Sequence, residues 1–438
     1  MDYLVIASQL VLSLSILVTL HEMGHFFPAR WFGMRVDKFY LFFNPWFSVW
    51  KTKKGDTEYG LGWLPLGGYV KIAGMVDESM DTAQLKNEPQ SWEFRSKPAY
   101  QRLIVMLGGV IVNFILGFFI LSMLVWANGK EFLPAQNAIH GAHTTETAQK
   151  LGLKDGDKIV SVGDKSFTRF EDKFLLNEIV FQKARTITVL REGQNQVLTL
   201  PDDCVSLLSS NKKGLISPRL PFVINELSPD MPAAKAGLLQ GDSIVALNGQ
   251  TLPYYQDFVK ELVKNKDTLI KIGFYRADSL LELTFKTNPS GKIGAGVKFL
   301  PTETESFGFF ASFAVGTKDG LDFLSKQLAA FGMMFSGEIK ATESLGGFIS
   351  IGKLFPDTWD WARFWQMTAI LSLILGFMNL LPIPALDGGH ALFLLIEMIF
   401  RRPLPQKFLE NAQMVGILLL LGLMIFAQGL DIYRLFKS

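Results

Sequence analysis

Three ionisable side chains, His21, Glu22 and His25, arrive within five residues at the end of a run that carries no charge from Tyr3 to Leu20. On a helix, positions i and i+4 share a face, so the two histidines can turn imidazole nitrogens towards one metal ion. Glu22, beside them, is placed to accept a proton from a water activated there. The His-Glu-x-x-His spacing points to zinc-dependent hydrolysis. Its setting sharpens that reading, because an ionisable group near mid-bilayer costs about 2.5–3.5 kcal/mol even on a lenient insertion scale. The other reading of the trio is a set of side chains snorkelling to the headgroups at a helix end.

The elements that must position these residues are apolar. The chain has 438 residues, 49% of them hydrophobic, and a mean hydropathy of +0.23. With its long uncharged runs it reads as an integral membrane protein with room for two or three domains. A net charge of +2 without a basic stripe argues against a nucleic-acid partner. The single cysteine, Cys204, excludes an internal disulfide and reads as a small, partly buried residue. Four uncharged segments are long enough to span the bilayer: about 3–27 (ended by Pro28), 103–126, 364–386 and 411–430. The first lacks the positive flank and small-residue cleavage site of a signal peptide, so it is expected to stay as a transmembrane helix.

Four spans put both termini on one side. Residues 26–102 hold eleven Lys and Arg, and the last connection adds Arg401, Arg402 and Lys407. The excess of positive charge places loops 28–102 and about 390–410 in the cytoplasm, and both termini and the 127–362 block outside. The sequence thus divides into membrane parts at 1–126 and 363–438 around that block. Within the first part, Tyr59 to Ile72 is apolar, rich in glycine and proline, and alternates like β-structure. Non-helical backbone enters a membrane only where protein or a water-filled cavity satisfies its polar groups. Residues of about 58–76 are therefore expected to form a re-entrant β-hairpin or loop beside the metal site, with an ordinary cytoplasmic hairpin as the alternative.

The outer block repeats itself. Gly152-Leu153-Lys154-Asp155-Gly156-Asp157 through Val162 echoes Gly237-Leu238-Leu239-Gln240-Gly241-Asp242 through Leu247, 85 residues later. That period suits two copies of a small domain, at 127–216 and 217–302. Each copy resembles the PDZ domain, the second over more of its length, from Val223 to Gly249. Such domains bind extended peptides by adding a strand to a sheet edge; service as a size filter or spacer is the alternative. Residues 303–362 place Phe323, Leu324, Leu328, Phe331 and Phe335 roughly on one helical face, which suits a helix on the outer membrane surface or one packed on the repeats.

A catalytic zinc takes three protein ligands and leaves a fourth position open. His140 and His143 lie in the outer block, on the wrong side, and read as solvated loop residues. The third span ends in Asn379-Leu380-Leu381-Pro382-Ile383-Pro384-Ala385-Leu386-Asp387-Gly388-Gly389-His390. Asp387 is its only acid, and it lies about as deep in its span as His21 and His25 do in theirs at ~1.5 Å per residue. It is either the third ligand or a helix-capping acid at the cytoplasmic surface. His390 reads equally as support behind the ligands or as a surface residue.

Four motifs now stand together: His-Glu-x-x-His, Gly-x-x-x-Asn at Gly109–Asn113, Gly-Gly-Tyr-Val at Gly67–Val70, and Asn-x-x-Pro-x-Pro-x-Leu-Asp-Gly-Gly at Asn379–Gly389. Their combination resembles the site-2 protease family, in its form with two PDZ domains, over the whole chain. The resemblance implies an intramembrane zinc metalloprotease of the bacterial inner membrane acting in envelope stress signalling. Its substrates would be single-span proteins, such as an anti-sigma factor already trimmed on its periplasmic side, and remnant signal peptides. It implies zinc on His21, His25 and Asp387, with Glu22 as general base. Asn379 would help hold the unwound substrate, and Gly67, Gly68 and Tyr69 would lie in a β-element that clamps it. A zinc transporter and a PDZ-bearing scaffold are the other classes that fit parts of the pattern.

Overall fold

The protein is described here by a computed structural model, covering residues 3–75, 88–209, 214–336 and 346–437. It divides into two units, Met1–Gly129 with Ser306–Ser438, and Lys130–Glu305. In the first unit, helix α1 (Tyr3–Trp31) and helix α2 (Ala99–Asn128) are followed by α3 (Phe309–Phe335), α4 (Trp361–Leu380), α5 (Asp387–Phe400) and α6 (Gln406–Lys437). Among the described residues, α1, α2, α4 and α6 are the four long and apolar enough to cross a membrane. Uncharged aliphatic runs form helices there because a helix satisfies every backbone polar group within itself.

Helix α1 does not end at Pro28; it continues to Trp31. Proline removes the N–H that would bond the Gly24 carbonyl. That carbonyl instead faces Gly108 of α2, where an added methyl would collide with it, and a methyl on Gly24 would come within 2.5 Å of the Gly108 oxygen. Glycine on both helices lets the backbones close to Cα–H···O distance, and the neighbour takes up the freed acceptor.

Helix α2 is the hub. It packs on α1, α3, α4 and α5 and buries a glycine-rich face that includes Gly108, Gly109 and Gly117. Polar bonds between spans add to this: Ser372 donates to the Asn113 carbonyl at 2.7 Å and Thr368 to Ser13 at 2.9 Å. Helix α3, expected to lie on the membrane surface or on the repeats, packs along α2, with Gly316 against Ser122 and Gly320 against Phe118. The 337–345 part of its expected segment lies outside the described residues.

The third span is shorter than its uncharged run. Helix α4 stops at Leu380 because Pro382 and Pro384 lack donors and disfavour helix before them. A turn containing Ala385 at φ +78° leads into α5. Gly388 and Gly389 sit so close to the Leu380, Leu381 and Ile383 carbonyls that a methyl on either would clash, and so Asp387 opens α5.

Between α1 and α2 lie four strands: β1 (Val36–Phe43), β2 (Trp50–Lys54), β3 (Thr57–Leu61) and β4 (Leu64–Ile72). The expected hairpin is part of a larger mixed sheet of order β2-β3-β1-β4. Strand β1 separates β3 from β4, pairing parallel with one and antiparallel with the other. Residue 76, the last of the expected segment, is outside the described residues. Strand β4 is an edge strand packed on α1, with Gly68 against Val18 and Glu22.

In the second unit the 85-residue repeat becomes two sheets of one topology. Strands β5 (Lys158–Val162), β6 (Lys165–Ser166), β7 (Thr186–Arg191) and β8 (Gln194–Thr199) take the order β8-β7-β5-β6. Strands β9 (Ser243–Leu247), β10 (Gln250–Thr251), β11 (Leu269–Arg276) and β12 (Ser279–Lys286) match it as β10-β9-β11-β12. Each sheet has its own apolar core. The repeated Gly-x-x-x-x-Asp turns are held identically: Arg191 bonds Asp157 and the Gly152 carbonyl, and Arg276 bonds Asp242 and the Gly237 carbonyl. Cys204 is fully buried in the first core.

Candidate metal centre

His21 and His25 project from consecutive turns of α1, their rings edge to face at 4.9 Å. Their Nε2 atoms lie 3.3 Å apart. Asp387, in the first turn of α5, brings Oδ2 to 3.4 Å from each. The result is a nearly equilateral triangle of one carboxylate oxygen and two ring nitrogens. Ligand atoms about 2.0–2.1 Å from a tetrahedral zinc stand about 3.3–3.4 Å apart, so the spacing fits. Asp387 Oδ2 is buried with no hydrogen-bond partner. An orphaned acceptor among ring nitrogens is costly on its own and suits a cation.

Helix α2 sets the other face of both imidazoles. His25 Nδ1–H donates to the Val105 carbonyl at 2.8 Å, which leaves Nε2 with a free lone pair. The side-chain amide of Asn113 lies 3.0 Å from His21 Nδ1, and Asn113 Oδ1 has no partner of its own. A half-turn of the amide brings Oδ1 to His21 as the acceptor for Nδ1–H, and His21 Nε2 is then free as well. Between these two anchors sits Gly109. A methyl there would overlap His25 Nε2 and lie 2.7 Å from His21 Cε1.

These residues open into a cavity of about 720 Å3 within the first unit. Glu22 lines it, its Cγ 3.5 Å from where a side chain on Gly68 would begin. The Val70 backbone offers the Glu22 carboxylate a hydrogen bond. The opposite wall is strand β4, through Leu64, Gly68 and Tyr69 to Ile72. Tyr69 is held by its hydroxyl to Asn44 at 3.0 Å and by stacking on Tyr40.

His21, Glu22, His25 and Asp387 therefore converge. Asn379 Nδ2 lies 3.4 Å from His21 Nε2, at the end of α4. Gly68 and Tyr69 line the cavity; Gly67 packs against Phe43 instead. His390 lines the cavity one turn after Asp387, as does Gln413 of α6. His143 and His140 are in the second unit: His143 is not a loop residue but a strand residue 3.4 Å from Asp155, and His140 lies in a turn, half-buried against Tyr254. The Val105 carbonyl and Gln413 are site elements that sequence reasoning misses. A carbonyl leaves no side-chain signal, whereas the buried amide of Asn113 in an apolar span is one.

Residues 9–423 match peptidase family M50. The chain is 29% identical to the Regulator of sigma-E protease RseP of Escherichia coli, with 98% of each chain covered. It is 30% identical to Protease RseP of Yersinia pestis, over 97% of this chain and 98% of that one. The Regulator of sigma E protease of Haemophilus influenzae is 27% identical over 99% of this chain and all of its own.

Proposed function

The chain belongs to peptidase family M50 and is a zinc metalloprotease, and from that premise we propose that His21, His25 and Asp387 hold its zinc and Glu22 serves as general base. The convergence of three buried acceptor atoms beside Glu22, in a cavity walled by an edge strand, carries this reading. Zinc, when bound, supplies Lewis-acid polarisation and lowers the pKa of water towards ~7.

The chain's own residues do the rest. Glu22 takes the proton of the attacking water and delivers it to the leaving amide nitrogen. A helical peptide bond is shielded by its own hydrogen bonds, so the substrate must enter unwound. Strand β4, at the sheet edge, receives the opened segment as an added strand, and the missing side chains at Gly67 and Gly68 let it approach. The Asn379 amide, at the cavity end of α4, donates to its backbone.

The substrates we propose are the membrane segments of single-span proteins: an anti-sigma factor after a first periplasmic cut, and remnant signal peptides; that several relatives are named as regulators of sigma E supports the first. The positive-inside rule supports a bacterial inner-membrane topology with the sheet entering the bilayer from the cytoplasm and the second unit in the periplasm. The matched topology of that unit's halves supports two PDZ-like domains.

The test is Glu22→Gln in the full-length protein, reconstituted with a single-span substrate. Loss of cleavage with one zinc retained per chain is expected. Continued cleavage at the native rate overturns the role of Glu22.

A further inference from the structure

Helix α6 turns most of its apolar length outward: Met414, Val415, Leu418 and Ile425 are each more than half exposed. One turn near its start is the exception. Gly416 lies against the Pro384 carbonyl, where an added methyl would collide with it. Gln413, three residues earlier on the same helical face, is only 2% exposed. The proline turn that leads to Asp387 thus fixes this turn of α6 beside the metal centre, and Gln413 lines the cavity there with His390.

The fold makes no use of that amide oxygen. Among the described residues that line the cavity, two buried side-chain oxygens have no hydrogen-bond partner: Asp387 Oδ2 and Gln413 Oε1. The first sits in the ligand triangle and suits a cation. The second faces no positive charge and belongs to a neutral amide. Burying it unpaired costs about what losing a hydrogen bond costs, and a methionine of similar length would avoid that cost. An amide kept at such a place points to a polar group that arrives with a ligand.

The substrate backbone is such a group. A segment added to β4 pairs through the N–H and C=O of alternate residues only; those of the residues between point to its other side. At a sheet edge no further strand takes them, and in a cavity shut off from bulk water they need a partner. Strand β4 is carried on α1 and Gln413 on α6, so the cavity lies between them. A side-chain amide holds a donor and an acceptor side by side and so matches one peptide group.

We propose that the Gln413 amide is a substrate-binding group that hydrogen-bonds one peptide group near the scissile bond, on the side turned away from β4. The opened segment is then gripped through its main chain from both sides, by the strand and by α6. The inference rests on the metalloprotease reading above and on entry of an extended segment along β4.

The test uses the full-length protein in lipid vesicles with a synthetic single-span peptide. Each peptide group within about four residues of the cut is replaced in turn by an ester, which lacks the N–H and is a weaker acceptor. Gln413→Met should lower kcat/KM on the all-amide substrate about 10-fold, with zinc retained. Its melting temperature should equal or exceed the native one, because an unpaired buried amide has gone. At one ester position the native protein should lose about as much, and Gln413→Met should lose nothing more there. An unchanged kcat/KM overturns the proposal. So does a melting temperature that drops with the activity, or a loss that multiplies equally with every ester, since both mean that the amide serves the fold. If Gln413→Met does not fold, Gln413→Asn, which withdraws the amide by one methylene, takes its place with the same expected loss and the same ester pattern. Failure of the underlying reading looks different: Glu22→Gln or Gly68→Val would then cleave at the native rate. If both of those are impaired while Gln413→Met is not, the present inference alone falls.

Discussion

Replacing Gly109 by alanine should empty the metal centre without unfolding the helices. The added carbon would lie 2.7 Å from His21 Cε1 and 2.8 Å from His21 Nδ1, and would overlap His25 Nε2. Ordinary carbon contacts stand at about 3.5–4.0 Å, so the rings must retreat by ~0.7 Å or more. A zinc site tolerates displacements of about 0.2 Å. Backing α1 away as a whole would give up the close Gly24–Gly108 backbone contact, so the imidazoles are the groups that move. Zinc affinity should fall at least ~100-fold, the upper end of what mere loss of a supporting partner costs. The assay is metal content and chelator competition on purified protein, with a thermal melt to show that the fold persists. Gly117→Ala is the control, since its methyl crowds the buried Leu373 side chain and the Ala369 carbonyl of α4 to a similar degree but meets no imidazole. Stoichiometric zinc at native affinity in Gly109→Ala would refute the reasoning.

Three further outcomes are expected. Asn113→Leu removes the acceptor for His21 Nδ1–H and should weaken zinc binding about 10–100-fold in the same chelator competition. Gly68→Val intrudes on Val18, the Tyr40 carbonyl and Glu22, and should cut substrate turnover at least ~10-fold while zinc stays bound, since β4 carries no ligand. In the second unit, burial pushes the Asp242 carboxyl up but the Arg276 guanidinium and the Leu239 N–H outweigh it and hold it below its usual range. The stability this lends is present above the unfolded value of about 3.9 and is lost as pH falls through the lower folded value. Arg276→Met should therefore melt below the native protein at pH 7, and the two should converge below pH ~4.

The chemistry of the centre was the most legible part of the chain. The i, i+4 histidines need only one helix, and Asp387 stands out as the sole acid ending an apolar run. Its depth in the span suits a place beside the histidines, and the structure brings its carboxylate there although α4 stops at Leu380 and a proline turn completes the path. What could not be read were relations set by packing. That Gly109 clears space for two imidazoles, and that Asn113 holds one of them, depends on the rotation of α2 against α1, which Gly24 and Gly108 fix. Alternation marked β3 and β4 as strands, but their pairing runs through β1, a non-local choice that periodicity does not encode. For α3 the sequence offers the outer membrane surface or the repeats as partner; the packing on α2 that Gly316 and Gly320 admit has no periodic signal. Pro28 misled for a related reason: a neighbouring helix supplied what the proline removed.

The central claim is that one zinc is held by two imidazoles of α1 and the carboxylate of Asp387. X-ray absorption at the zinc edge of the purified full-length protein tests it most directly. The account predicts nitrogen and oxygen neighbours at about 2.0–2.2 Å with the scattering of two imidazole rings, and a spectrum that changes on Asp387→Ala. Sulfur scattering, a single ring, or a native spectrum in Asp387→Ala would contradict it.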